Sequence, residues 1–113
     1  CGQVSQEALT ELYQTSLALL YPSRYEGFGL PALEAMKSGC IPITRNTSSL
    51  PEVLGEAGIL LETEDADDAA RRIAGRIVGT AYAELQAIGL AQAERFSWGK
   101  TARSMHALYK SLV

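Results

Sequence analysis

Two glutamates eight positions apart, Glu26 and Glu34, bracket the run Gly27-Phe28-Gly29-Leu30-Pro31-Ala32-Leu33. Glycine at 27 and 29 lets the backbone approach a ligand closely and turn its amides toward it. Pro31 suits the first turn of a helix, where a missing N–H costs nothing. The head of such a helix offers free amides and the positive end of a dipole, which together favour an anion such as phosphate. The amides concerned are those of Gly29, Leu30 and the residues just after, because Pro31 has none. Glu34 is expected at the fourth helical position, within the first turn, where a carboxylate is favoured. A carboxylate accepts two hydrogen bonds side by side, the geometry that vicinal ribose hydroxyls present. Glu26 lies on the loop side, so the two acids are expected at opposite ends of one elongated ligand, not as a proton-sharing pair. The same residues also fit an ordinary strand–turn–helix connection, since glycines flank aromatics in many turns.

These residues need a scaffold, and the surrounding pattern supplies one. Ser5 is a good N-cap, and Leu9, Leu12, Tyr13 and Ser16 follow at helical spacing, which predicts an amphipathic helix over 6–16. The unbroken run Leu17-Ala18-Leu19-Leu20-Tyr21, closed by Pro22, reads as a strand buried on both faces. A loop over 23–29 leads to the helix that starts near Pro31 and runs to about Gly39, burying Leu33 and Met36. Residues 41–44 form a second strand, although Pro42 is awkward in a central one. A polar turn over 45–49, a brief helical piece over 50–54 and a third strand over 58–61 follow. Acids from Glu62 to Asp68 precede Ala70, Ile73, Ala74, Ile77 and Val78, a helix whose charges suit its dipole. Tyr82, Leu85, Gly89, Ala93 and Phe96 mark another helix. Ser97 caps a final one over 97–113, carrying Trp98, Ala102, Met105, Tyr109 and Leu112 along one side, with Phe96 and Trp98 expected to pin it. Strands alternating with helices imply an α/β, Rossmann-like three-layer αβα domain with a parallel sheet. Three strands are few for such a sheet, which usually has five or six. The stretch 1–113 is therefore read as a single partial domain. The opening Cys-Gly-Gln-Val, without an initiator Met or a signal-peptide pattern, reads the same way.

Composition narrows the function. The chain has 113 residues, formal net charge −3, 47% apolar and 20% charged residues, a globular balance far from disorder. A mildly acidic chain without a basic stripe argues against nucleic acid; the cluster Arg71, Arg72 and Arg76 reads as a solvated helix face. No apolar run approaches a membrane span of about 20 residues. Two cysteines make neither a disulfide framework nor a metal site, so a reducing compartment is the default. Cys40 is expected as a small core residue, His106 as a surface residue, and Glu52 as a helix cap.

The string EGFGLPALEAMKSGCIPI, residues 26–43, resembles the signature of retaining glycosyltransferases of the GT-B fold, specifically glycosyltransferase family 4, with its Glu, seven residues, Glu pattern. Upstream, GQVSQEALTELYQTSLALLYPS is similar to the stretch that precedes that signature. Downstream, SSLPEVLGEAGILLE and RFSWGKTARSMHALY resemble the family's following segments in order. Ser16-Leu17 replaces a common Ala-Asp at a helix end, while Cys40 and Ile41 are conservative changes. The resemblance implies the C-terminal part of a GT-B donor domain, with about three parallel strands plus C-terminal helices. It implies that Glu26 meets hydroxyls of the donor sugar and that Gly27, Phe28, Gly29 and Leu30 meet the sugar and distal phosphate. Glu34 would bind the ribose of the nucleotide, and Gly2, Gln3 and Val4 would line the nucleobase pocket. The acceptor domain and the basic pair that grips the diphosphate in relatives are not in this chain; Arg24 and Arg45 are the nearby cations.

The expected activity is hexosyl transfer from a nucleotide-sugar to an acceptor with retention, the chain supplying the donor-binding half and being inactive alone. No metal or other cofactor is expected, the nucleotide-sugar being a substrate. A cytoplasmic location, peripheral to a membrane through the rest of the protein, follows from the same resemblance. The edge at Leu17–Tyr21, lacking a neighbouring strand, is expected to drive self-association. Two other readings remain open at this point. One is a non-catalytic nucleotide-binding or assembly subunit of a split transferase. The other is a glycoside hydrolase, which would need the two carboxyls flanking a scissile bond about 5 Å or about 6.5–9.5 Å apart.

Overall fold

The Ser5 hydroxyl accepts the Ala8 amide at 3.2 Å and opens the first helix, α1 (Gln6–Thr15), in the computed structural model, which describes residues 2–113. β1 (Ala18–Tyr21), α2 (Leu30–Lys37), β2 (Ile41–Arg45), α3 (Leu50–Leu54) and β3 (Ile59–Leu61) follow, then α4 (Ala66–Ala74), α5 (Thr80–Ala93) and α6 (Trp98–Ser111). The strands form one parallel sheet in the order β1-β2-β3, so the α/β expectation holds. Cys1 lies outside the described residues.

Alternation along the strands splits the core into two layers. Ile41 and Ile43 of β2 and Ile59 and Leu61 of β3 meet Ile73, Ile77, Tyr82 and Leu85 on one face. Ala32, Leu33 and Met36 of α2 join Leu50, Val53 and Leu54 of α3 on the other. Tyr13, Ala35 and buried Cys40 seat α1 against α2. Gly89 lets α5 approach α2: a Cβ there would already touch Met36 Cγ at 3.7 Å. Two glutamines stitch the layer together, Gln86 donating to Gly39 O at 2.9 Å and Gln92 to Val53 O at 3.0 Å.

Pro42 sits in the central strand after all, in an almost fully buried stretch. The Ile41 amide donates toward β1, to Leu17 O at 3.3 Å, so alternation turns the Pro42 nitrogen to the β3 side. The β2–β3 ladder begins one residue later, at Ile43 with Ile59. The missing donor therefore falls just outside the ladder.

Several sequence expectations need correction. β1 is not buried on both faces: among the described residues it is an edge strand paired only with β2, and while Leu19 packs against Tyr13, Ala35 and Cys40, Leu20 on the opposite face is 62% exposed. α4 stops at Ala74, with Gly75 as C-cap, and residues 76–78 leave the helix. Trp98 does not pin α6. It is 82% exposed, and α6 buries no residue along its length. Phe96 alone packs inward, its ring standing edge-on to Phe28 at 5.6 Å between centroids. Glu52 is exposed, and α3 has no side-chain cap. Arg71 and Arg72 both face Asp68, at 3.7 and 3.1 Å, as a solvated helix face should. His106 is exposed. No helix is long and apolar enough among the described residues to cross a membrane.

Candidate functional site

Parallel strands put their carboxyl ends at one edge of the sheet, and the three loops that leave there converge. The loop after β1 is held by the loop after β2. Thr47 donates its hydroxyl to Arg24 O at 3.2 Å, and the Glu26 amide donates to Ser48 Oγ at 3.1 Å. The Ser49 hydroxyl lies 3.1 Å from Glu26 O and 2.9 Å from Phe28 O. The loop after β3 joins through Asn46, which donates to Glu62, and through the ion pair of Arg45 with Glu64. That guanidinium, aided by Arg24, lowers the Glu64 carboxyl from its ordinary range. Arg45 is thus engaged with its own neighbour.

Gly29 makes the turn into α2. Its φ of +96° is left-handed, a region that favours glycine, and a Cβ there would fall 2.7 Å from Leu50 Cδ2. The helix starts at Leu30, one residue earlier than the proline suggests. Two expectations change as a result. Glu34 becomes the fifth helical residue, beyond the first turn, so the helix dipole does little to hold its charge. The amides of Ala32 and Leu33 are committed to Gly29 O at 3.1 and 3.2 Å. The donors left without an acceptor among the described residues are those of Gly27, Phe28, Gly29 and Leu30. These unpaired amides lie further into the loop than the helix-head reading alone placed them, on the residues Gly27 to Leu30 that the resemblance singles out.

Neither glutamate is in the packed core; both are half-buried. The Tyr21 hydroxyl donates to Glu26 Oε1. This bond lowers the Glu26 carboxyl from its ordinary value, with Ser23 adding to the effect, and pushes the Tyr21 hydroxyl up to about 12. Glu34 lies near Tyr13, whose hydroxyl is raised by burial first and by the Glu34 charge second. Glu34 also borders a cavity of about 460 Å³ between α2 and the start of α6, with Phe28 and Leu33 on its side and Phe96, Trp98 and Lys100 opposite. Glu26 does not line this cavity, and neither do Gly2, Gln3 and Val4, which stand exposed ahead of α1. Asp65-Ala66-Asp67 has the Asp-x-Asp spacing of a metal motif. Asp65 serves as the N-cap of α4, accepting the Asp68 amide at 2.8 Å. No group of three metal-ligating side chains occurs among the described residues.

The Tyr21–Glu26 bond makes a pH prediction. A carboxyl lowered in the folded chain adds stability above its unfolded value of about 4.3 that disappears as pH falls through the folded value. A raised tyrosine adds stability below about 10 that disappears as pH rises through about 12. The bond therefore persists throughout the neutral range. Tyr21→Phe is expected to move the Glu26 titration up toward the ordinary carboxylate range, read by carboxyl-carbon NMR. An unmoved Glu26 curve would mean that another group holds it down.

A small parallel sheet with helices on both faces, entered at its carboxyl edge by a glycine-rich loop and a helix head, is an arrangement found in the GT-B fold. Consistent with this, the chain superimposes on sucrose-phosphate synthase from Thermosynechococcus elongatus with a TM-score of 0.81 at 30% identity, covering 99% of this chain and 29% of that one. Residues 1–78 match the family described as glycosyl transferases group 1, and the chain belongs to that family. It is 41% identical over 112 residues to O-antigen chain mannosyltransferase B of Escherichia coli, across 98% of this chain and 29% of that protein. It is 33% identical over 117 residues to MMP alpha-(1->4)-mannosyltransferase of Mycolicibacterium hassiacum, across 97% and 28%. The chain thus spans under a third of the length of these relatives.

Tyr21, Ser48 and Ser49 were absent from the sequence-based site. The sequence offered only a hydroxyl-rich turn after β2, with nothing to say that it faces the loop after β1.

Proposed function

We propose that residues 1–113 form the donor-binding part of a retaining glycosyltransferase of family 4, which moves a hexosyl group from a nucleotide-sugar to an acceptor. The observation that carries this reading is the run of four amides, Gly27 to Leu30, without acceptors among the described residues, set between two half-buried carboxylates at the carboxyl edge of the sheet. The amides suit the diphosphate. Glu26 would take hydroxyls of the sugar, Glu34 those of the ribose, and Gly2 to Val4 the base. Relatives whose names specify mannosyl transfer favour a mannosyl donor.

With each carboxylate holding hydroxyls, neither serves as a nucleophile beneath the anomeric carbon. The acceptor oxygen would enter on the face from which the diphosphate leaves, and the departing phosphate would take the acceptor proton. The chain's contribution is positioning, together with stabilisation of leaving-group charge by the loop amides. No step assigned to these residues calls for a metal. The acceptor site would belong to an N-terminal domain, which also provides the peripheral contact with a membrane on the cytoplasmic side. The unpaired edge of β1, with Leu17 and Leu20 both more than 60% exposed, would pair with a further strand, or with a second copy when the chain stands alone.

The test is calorimetric titration of the chain with uridine, guanosine and adenosine diphosphates, their mannose conjugates and the parent nucleosides. One diphosphate is expected to bind at least tenfold more tightly than its nucleoside, with no sugar transfer by the chain alone. Equal affinity for nucleoside and diphosphate would remove the phosphate-binding role. Measurable transfer by the chain alone would remove the division of labour.

A further inference from the structure

Ser49 occupies the N-cap position of α3, where a serine ordinarily bonds to an amide of its own helix, yet α3 has no side-chain cap. The hydroxyl instead turns to Glu26 O and Phe28 O, at 3.1 and 2.9 Å, in the loop after β1. Its neighbour Ser48 has a φ of +49°, the only positive φ outside glycine among the described residues, a conformation that disfavours an L side chain. Ser48 Oγ accepts the Glu26 amide at 3.1 Å, and Thr47 holds Arg24 O at 3.2 Å. Three consecutive hydroxyl residues thus reach across to one loop, where a forgone cap and a left-handed backbone coincide.

The peptide plane says what this achieves. In a planar trans peptide the carbonyl of one residue and the amide of the next point in opposite directions. Drawing the carbonyls of Glu26 and Phe28 toward Ser49 therefore turns the amides of Gly27, an exposed residue, and Gly29, a buried one, away from Ser49. Those are two of the four amides that lack an acceptor among the described residues. The single hydroxyl proton serves one carbonyl at a time, and the shorter contact favours Phe28 O.

We propose that Ser49 is a positioning residue for diphosphate recognition: it fixes the peptide planes that aim the amides of Gly27 and Gly29 at the phosphates. The inference rests on the donor-binding reading above.

Ser49→Ala and Ser49→Thr chains are compared with the parent by titration with the preferred nucleoside diphosphate and with its nucleoside. Ser49→Ala is expected to weaken the diphosphate about tenfold and leave the nucleoside unchanged. Ser49→Thr, which keeps a hydroxyl, is expected to recover most of the loss. A second readout is amide NMR with inorganic pyrophosphate, in which Gly27 and Gly29 should shift in the parent and the threonine chain but not in the alanine chain. This readout needs no comparison of overall stabilities. Unchanged diphosphate affinity in Ser49→Ala, or equal losses for nucleoside and diphosphate, would overturn the proposal while leaving the donor-binding reading intact. A parent chain that binds no nucleoside diphosphate would overturn both.

Discussion

A Gly58→Ala chain is expected to lose about 3 kcal/mol of folding stability, the upper end of what overpacking a dense core costs. A Cβ at position 58 would stand 2.6 Å from Pro42 O and 2.4 Å from Leu54 Cδ2. Leu54 is fully buried and has little room to turn. Pro42 O belongs to the backbone of the central strand and cannot move without disturbing the pairing of β1 with β2. At this point β2 has no amide to donate and Gly58, just ahead of β3, has no side chain, which lets the two segments close together just before the ladder begins. Against a typical domain stability of about 5–15 kcal/mol, the loss should lower the thermal midpoint by roughly 10 °C. Urea unfolding followed by circular dichroism measures it. A midpoint within error of the parent would mean that the two strands are not in tight contact there.

The second large effect is expected at the two glutamates, measured in a transferase that contains this segment. Glu26→Ala should lower kcat/KM for the donor about 100-fold or more, since each lost hydrogen bond to a charged group is worth about 1.5–3 kcal/mol. Glu34→Ala should act mainly on KM for the donor, by about 10–100-fold on the same scale, because ribose contacts are equal in ground and transition states. The split between the two is the informative part. If both substitutions changed only KM, Glu26 would be a binding residue without a share in the transition state. If Glu34→Ala left KM unchanged, the ribose assignment would fail. Tyr21→Phe provides a graded companion, since it leaves the Glu26 carboxylate in place and removes the hydroxyl that orients it.

Short-range physics made much of this chain legible from its residues. The runs over 17–21, 41–44 and 58–61 became β1, β2 and β3, because unbroken apolar stretches closed by turn residues have few other uses at that length. Ser5 and Ser97 cap their helices as their types dictate. Gly29 adopts the left-handed turn ahead of α2, a conformation that glycine accepts most readily. The resemblance of residues 26–43 to a glycosyltransferase signature pointed to the broader family, glycosyl transferases group 1, whose pattern residues 1–78 match.

What the sequence could not state were relations between distant positions. That Tyr21 holds Glu26, and that Thr47, Ser48 and Ser49 fasten the loop after β1, depends on parallel strands delivering both loops to one edge. Pro42 reads as awkward because a proline's local cost is visible in sequence, whereas the offset between two ladders is not. Trp98 reads as a pin because a large apolar side chain usually finds cover, and only the course of α6 away from the sheet leaves it exposed. Local sequence determines which backbone conformations are cheap. Which donor meets which acceptor across a sheet edge is decided by topology, because a hydrogen bond depends on position and direction that no single stretch of chain contains.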